Sequence, residues 1–287
     1  MLYSVFSGIT VRQNKLICVV LKNSQSGWKI QDCLTYPIQS KNDWKSVTTE
    51  LNKHLPKWRN CVAISLEFEE VLRKSSVINS SLCADEESSY VREQLSQVLG
   101  QDPLAYDYRC RADHHAQQDI DLFICKQETL DTLLNDSGLS INVVGWALTD
   151  LVTLSQQLLS IKQMTAHYAL EITDDKLQAV SLDGCLTTYT FDLNLCCFAE
   201  LVQSLRQHQL TLNSHSETVD LTLLLFGTAT QVEHFLQQVS DDSALSCIDA
   251  SLLAQGHIGE IERLAFERYY PALGCALGAM SWCKALQ

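Results

Sequence analysis

The chain has 287 residues and a formal net charge of −13, from 21 Lys+Arg against 34 Asp+Glu. That charge argues against broad electrostatic binding to DNA or to anionic lipid, and no apolar run approaches the ~20 residues of a membrane span. Its 11 glycines, where ordinary usage gives about 20, are few for a protein that cradles phosphate in glycine loops.

The length suggests about two domains. A hydrophobic fraction of 46% is that of a globular chain, not a disordered one. The first residues, Met1 to Phe6, lack a basic region and a cleavage site, so no secretory signal is expected. The 12 cysteines lie singly apart from Cys196-Cys197, with no Cys-x-x-Cys. Many sit inside apolar runs such as Leu122-Phe123-Ile124-Cys125, which predicts reduced core cysteines in a cytoplasmic protein rather than a disulfide framework.

In chain order, residues 2–36 read as three strands. The middle one, Leu16 to Leu21, is continuously apolar, as for a strand buried on both faces. A short helix over 43–55 closes at Pro56. Cys61 to Leu66 is a strand, and Glu67 to Asn79 is expected to continue that sheet. A helix over 86–99 carries Val91, Leu95, Val98 and Leu99 on one stripe and ends at Gly100 and Pro103. Strands at 104–110 and 120–125 flank a polar hairpin. A helix around Leu130 to Leu134 ends at Ser137-Gly138. A strand over Ile141 to Val144 and a helix over Leu148 to Leu159 follow.

The second half restarts the same pattern. Tyr168 to Ile172, Lys176 to Leu182 and Cys185 to Phe191 form a meander with turns at Thr173-Asp174-Asp175 and Asp183-Gly184. A helix carries Leu195, Phe198, Leu201, Val202 and Leu205. Leu221 to Phe226 is a buried strand running into Gly227. Another helix has Val232, Phe235, Leu236 and Val239 on one face, and a last one begins near Pro271. Three-strand meanders followed by strand–helix units, given twice, predict an α/β protein of mixed sheets with helices on their faces. Two such halves with a cleft between them is the layout of the actin-like, or ribonuclease-H-like, ATPase superfamily. The halves are expected at 1–160 and 161–287.

The chain resembles the PilM family of actin-like proteins, with its shorter HofM and competence-protein variants, over nearly its whole length. One matching segment is Phe123 to Glu128, then a helix, then Ser137 to Val144. A second is Asp85-Glu86-Glu87, its helix and Gln101 to Tyr108. The third is Pro271 to Gly278. The resemblance implies a cytoplasmic protein of a type IV pilus or DNA-uptake machine, peripheral to the inner membrane. Its partner would be the N-terminal cytoplasmic peptide of a PilN-like bitopic membrane protein. It also implies a subdomain inserted at roughly 40–138, bordering the peptide groove, and a nucleotide site in the cleft.

The loops that would hold that nucleotide depart from the family pattern. Backbone N–H groups approach phosphate most closely at glycine, and a strand acid positions Mg²⁺. The first loop reads Gly8-Ile9-Thr10-Val11-Arg12-Gln13: Gly8 is kept, Thr10 stands where the family has aspartate, and Arg12 where it has a loop glycine. The second reads Glu171-Ile172-Thr173, with a β-branched residue where backbone should meet phosphate. The adenosine loop, Phe226-Gly227-Thr228-Ala229, retains one glycine. These departures predict a pseudo-ATPase that does not hydrolyse ATP and has no required cofactor. Weak binding of ATP with Mg²⁺, its anion met by Arg12, stays open.

Other patterns have plainer readings. Asp113-His114-His115 with Asp119 and Asp121 has metal-ligand chemistry but sits in a polar hairpin, and a solvated loop is expected. Gly274 and Gly278 form Gly-x-x-x-Gly in a short helix, which predicts close packing on a neighbouring sheet. Trp44 and Trp58 flank a short helix and are expected in core or rim packing, with a role near the peptide groove as the alternative. No Gly-x-Ser-x-Gly or Walker pattern is present. The leading reading is a binding adaptor. The alternatives are an active actin-like ATPase and the cytoplasmic actin-like domain of a type II secretion component, the latter disfavoured by the lack of a span.

Overall fold

The computed structural model describes residues 3–24, 27–40, 43–79, 83–98, 103–112, 117–183, 186–193, 197–212, 220–255 and 263–285. In chain order the strands are β1 (Val5–Arg12), β2 (Lys15–Ser24), β3 (Gly27–Pro37), β4 (Asn60–Leu66), β5 (Leu72–Asn79), β6 (Leu104–Ala112), β7 (Gln117–Lys126), β8 (Val143–Trp146), β9 (Tyr168–Ile172), β10 (Lys176–Ser181), β11 (Thr188–Asp192), β12 (Leu221–Phe226) and β13 (Leu245–Asp249). The helices are α1 (Trp44–His54), α2 (Ala84–Val98), α3 (Gln127–Asn135), α4 (Ala147–Lys162), α5 (Phe198–Leu212), α6 (Ala229–Gln238), α7 (Ala250–Ala254) and α8 (Arg263–Ala285). Two compact units result. One comprises Met1–Pro37, Leu55–Ser65 and Asn142–Gln287, and the other Ile38–His54 and Leu66–Ile141.

The larger unit holds two five-stranded sheets of the same design. The first has the order β3-β2-β1-β4-β8 and the second β11-β10-β9-β12-β13. In each, an antiparallel three-strand meander meets a parallel neighbour, β1 with β4 and β9 with β12. This repeated mixed sheet makes the chain an α/β protein of the actin-like fold. Leu16 to Leu21 on β2 and all of β9 are buried, as strands covered on both faces must be. Behind the second sheet, Tyr168, Leu170, Leu223 and Leu225 pack on Leu201 and Leu205 of α5 and on Val232 and Phe235 of α6.

Helix α8 is apolar nearly all round. Phe266, Tyr270, Ala272, Leu273, Cys275, Ala276, Leu277, Ala279, Met280 and Cys283 are all buried, as a helix enclosed on every side requires. It packs on β1, β2 and α4. It also begins eight residues before Pro271, which lies inside it. Proline marks a helix start only when nothing else holds the preceding turn, and here the buried Phe266 and Tyr270 hold it. β13 and α7 were not legible as elements. Their residues are only partly buried in the strand and too few in the helix to show a period.

The smaller unit carries a three-stranded antiparallel sheet, β5-β7-β6. The segment expected to prolong β4 instead makes a single 3-10 turn at Phe68–Glu70 and enters this separate sheet as β5. Glu67 and Glu70 form a reciprocal capping box there, which turns the chain. Ile120, Leu122 and Ile124 of β7 face Val91 and Leu95 of α2. Among the described residues no helix is long and apolar enough to cross a membrane.

Candidate functional site

β1 and β2 are joined by the shortest of hairpin turns. Arg12 faces Lys15 in the register, and Gln13 and Asn14 both have positive φ, 48° and 58°. That is the geometry of a two-residue turn matched to strand twist. The turn leaves Arg12 on the last rung of β1. Its guanidinium meets the carboxylate of Glu171 on β9, through Nη1 to Oε1 and through Nη2 to Oε2 at 3.4 Å. Tyr270 of α8 donates its hydroxyl to the same Oε1, and the Arg12 guanidinium lies 5.9 Å from the centre of the Tyr270 ring. Phe226 closes the group, its ring 5.3 Å from Tyr270.

These contacts bind the two sheets and α8 together at one point. Glu171 is 2% exposed and Arg12 20%. Burial, and then the Glu171 charge, push the Tyr270 hydroxyl well above the usual phenol range. It therefore stays a donor to the carboxylate. Between Arg12, Ser65, Ala147, Leu151, Glu171 and Tyr270 a cavity of about 10 Å³ is left. That is room for at most about one water, against the ~300–1,000 Å³ of a typical small-molecule pocket.

Directly behind this cluster lies Asp150, on the first turns of α4. Its carboxyl is 5% exposed, and burial pushes its pKa up to about 7 against the opposing pull of a Ser65 hydrogen bond and the Arg12 charge. Its Oδ2 makes no hydrogen bond among the described residues. The carboxyl fits only because glycines surround it. A Cβ on Gly145 would come within 3.1 Å of Oδ2, and one on Gly278 within 2.8 Å of Oδ1. A Cβ on Gly274 would meet the Asp150 carbonyl at 2.7 Å. The Gly-x-x-x-Gly of α8 is thus a helix–helix contact with α4, where the sequence pointed to a helix–sheet one.

The other residues singled out in the sequence are placed as follows. Gly8 lies mid-strand on β1 under α8, where an added Cβ would stand 2.2 Å from Ala272 O and 2.3 Å from Ala276 N. Its missing side chain admits the helix. Thr10 is buried, and its Oγ1 has no partner among the described residues. Thr173 closes the β9–β10 turn, donating to the Lys176 carbonyl at 3.0 Å and accepting from Lys176 N at 3.1 Å. Gly227 sits 3.0 Å, by its absent Cβ, from Ile172 O. Thr228 is the N-cap of α6 in a capping box with Gln231, whose Nε2 reaches Asp174 at 2.7 Å. The structure brings Arg12 and Glu171 together and adds Tyr270, Ser65 and Asp150, which the sequence reading missed. A charged residue within the apolar stripe Ala147, Leu151, Leu154, Leu158 was the available signal for Asp150.

Asp113, His114 and His115 lie outside the described residues. Asp121 is not in a solvated loop. It is fully buried on β7, where Arg73 donates to it at 2.7 Å and Ser75 at 2.6 Å. Among the described residues no group of three metal-ligating side chains converges. Trp44 is buried on α1, whereas Trp58 is 82% exposed.

Three solved structures show similar folds. A chain of the PilM–PilN type IV pilus biogenesis complex aligns with a TM-score of 0.66 and 14% identity, over 95% of this chain and 98% of that one. The cytoplasmic domain of EpsL, an inner-membrane component of the type II secretion system of Vibrio cholerae, aligns at 0.48 and 12%, over 78% and 82%. A Bacteroides thetaiotaomicron protein with an actin-like ATPase fold aligns at 0.47 and 12%, over 94% and 96%. No protein-family profile matches the sequence, and no curated protein does. At these identities the likeness is one of fold.

Proposed function

We propose that this chain is a PilM/HofM-like adaptor of a type IV pilus or DNA-uptake machine, and that it keeps an actin-like fold for recognition without nucleotide hydrolysis. The observation that carries the second half of this reading is the Arg12–Glu171–Tyr270 cluster. Its side chains stand between the two sheets, and the cavity that they line holds about 10 Å³. Phosphate would have to displace a buried ion pair and then lie against the Glu171 carboxylate, which repels it. Thr173 and Thr228, where the family has glycine, use their side chains on turn and cap hydrogen bonds. The likeness to the PilM–PilN structure supports the first half.

The partner in this reading is the N-terminal cytoplasmic peptide of a PilN-like inner-membrane protein, bound as an extended segment. Through it the chain is held at the cytoplasmic face of the inner membrane. Co-purification of the full chain with that peptide, in buffer without nucleotide, tests the proposal. Retention of the peptide supports it. A requirement for ATP, or a tight Mg²⁺-dependent ATP titration by calorimetry, overturns the nucleotide-free part and favours an active actin-like ATPase.

A further inference from the structure

The chain is strongly acidic, yet three of the segments that build one end of its first sheet carry no acidic residue. Residues 3–31, 55–66 and 268–287 contain no Asp or Glu. The backbone gathers parts of these three segments at one place. Ser4 N and Val5 N both donate to the Arg59 carbonyl, at 3.0 and 3.1 Å, and Asn23 N donates to Ser4 O at 2.9 Å. Lys22 pairs with Val5 on one side and Lys29 on the other, and Trp28 faces Asn23. The last turn of α8 joins them through Cys283, whose Sγ is 3.7 Å from that of Cys61 at the start of β4.

Five exposed cations meet there: Lys22, Lys29, Lys57, Arg59 and Lys284. The chain has five tryptophans. Trp44 and Trp146 are buried, while Trp58 is 82% and Trp282 45% exposed, and Trp28 is half-buried at the same end. Trp58 lies in the loop between α1 and β4, next to Arg59, a residue with φ of +53°, and between two cations in sequence. A lone exposed apolar residue is ordinary, but here Trp28, Trp58 and Trp282 share one end of the sheet with five cations.

We propose that this end of the first sheet docks on an anionic phospholipid surface. An indole is amphipathic and settles at headgroup level, and lysine and arginine stems reach past it to phosphate. Tryptophans set among lysines and arginines suit a fluid, negatively charged surface. A partner protein would instead need a concave site to enclose Trp58. The net charge of −13 keeps the rest of the molecule off the same surface, so contact is confined to this end and sets an orientation. The inference is independent of the adaptor reading, because it uses none of the residues of the central cluster.

Flotation of the intact chain with vesicles of phosphatidylcholine and about 30% phosphatidylglycerol, at low salt, tests it. Binding is expected to these vesicles and not to pure phosphatidylcholine, and to weaken steeply with added salt. Lys57→Glu with Arg59→Glu is expected to lower it at least ~10-fold, at roughly one cation's contribution lost per site. Trp58→Ser tests the indole separately and should lower it several-fold with the salt dependence kept. Thermal unfolding matched to the parent shows that the variants are folded. No binding at low salt, or binding indifferent to both variants, overturns the proposal. So does tighter capture by a poly-glutamate peptide than by the vesicles, which would make the site one for an acidic protein.

Discussion

Arg12 and Glu171 lie 159 residues apart in the chain and share one ion pair, its carboxylate buried and its guanidinium partly so, that ties the first sheet to the second. The cavity beside the pair, lined also by Ser65, Ala147, Leu151 and Tyr270, holds about 10 Å³. A buried pair costs desolvation on both sides, so its net contribution is small while the cost of removing one partner is large. Arg12→Ala should therefore destabilise the chain by about 3–5 kcal/mol, through the stranded Glu171 carboxylate. The double variant Arg12→Met, Glu171→Gln should recover most of that loss. Urea unfolding of the three proteins measures this, and a double variant as unstable as the single one would show that the pair itself carries the stability.

The glycines of this protein divide by what surrounds them. Gly8 and Gly278 lie against atoms that cannot move far: backbone of α8 at 2.2 Å for the first, the enclosed Asp150 carboxyl at 2.8 Å for the second. Gly138 has φ of +64° and open space around it. Gly8→Ala should cost about 3 kcal/mol or more through overpacking, and Gly278→Ala about 1–3 kcal/mol. Gly138→Ala should cost only the backbone strain, about 1 kcal/mol. Thermal unfolding of the three variants gives the order, and a Gly8→Ala protein as stable as the parent would contradict the packing of α8 on β1.

The two sheets were legible because their strands are either continuously apolar, like Leu16 to Leu21, or bounded by plain turns such as Thr173-Asp174-Asp175. What failed had a tertiary cause. The separate course of β5 is decided by one capping box at Glu67 and Glu70, which leaves no periodic signal. The early start of α8 depends on buried contacts of Phe266 and Tyr270 that override Pro271. In the cluster, Arg12 and Glu171 stood out because each occupies a position where the family pattern has another residue. Nothing local marks Tyr270, since only the fold brings α8 beside β9.

In the smaller unit, Asp121 tests the same physics independently. It is fully buried and held by Arg73, itself 15% exposed, while Arg109 approaches to 3.8 Å from a 48% exposed position. Arg73→Ala should cost about 3 kcal/mol or more, because the carboxylate loses its charge-assisted bonds without reaching water. Arg109→Ala should cost under about 1 kcal/mol, because Arg109 stands half exposed at 3.8 Å and solvent screens its charge. Equal losses from the two substitutions would mean that solvent reaches Asp121. Chemical unfolding followed by circular dichroism separates the outcomes.

Asp150 gives the chain a pH dependence that runs opposite to that of a paired carboxylate. Its pKa rises from 3.8 to about 7 on folding, with burial as the largest cause. The groups around it are Arg12 on β1 and Ser65 on β4, which favour the ion, and Cys275 on α8, whose thiol is itself pushed up by burial and by the Asp150 charge. Below pH 3.8 the acid is protonated in both states and contributes fully. As pH rises from there towards 7 the unfolded chain gives up its proton while the folded chain holds it, so stability falls. Above about 7 both states are ionised and the slope ends. Three pKa units at ~1.4 kcal/mol each make the whole loss roughly 4 kcal/mol. Asp150→Asn cannot titrate, and should remove this slope while leaving those of the other acids. Urea unfolding of parent and variant between about pH 4.5 and 8 reads the difference directly. The variant should gain on the parent steadily up to neutral pH and then hold a constant lead, and parallel curves throughout would show that the carboxyl is ionised in the folded protein.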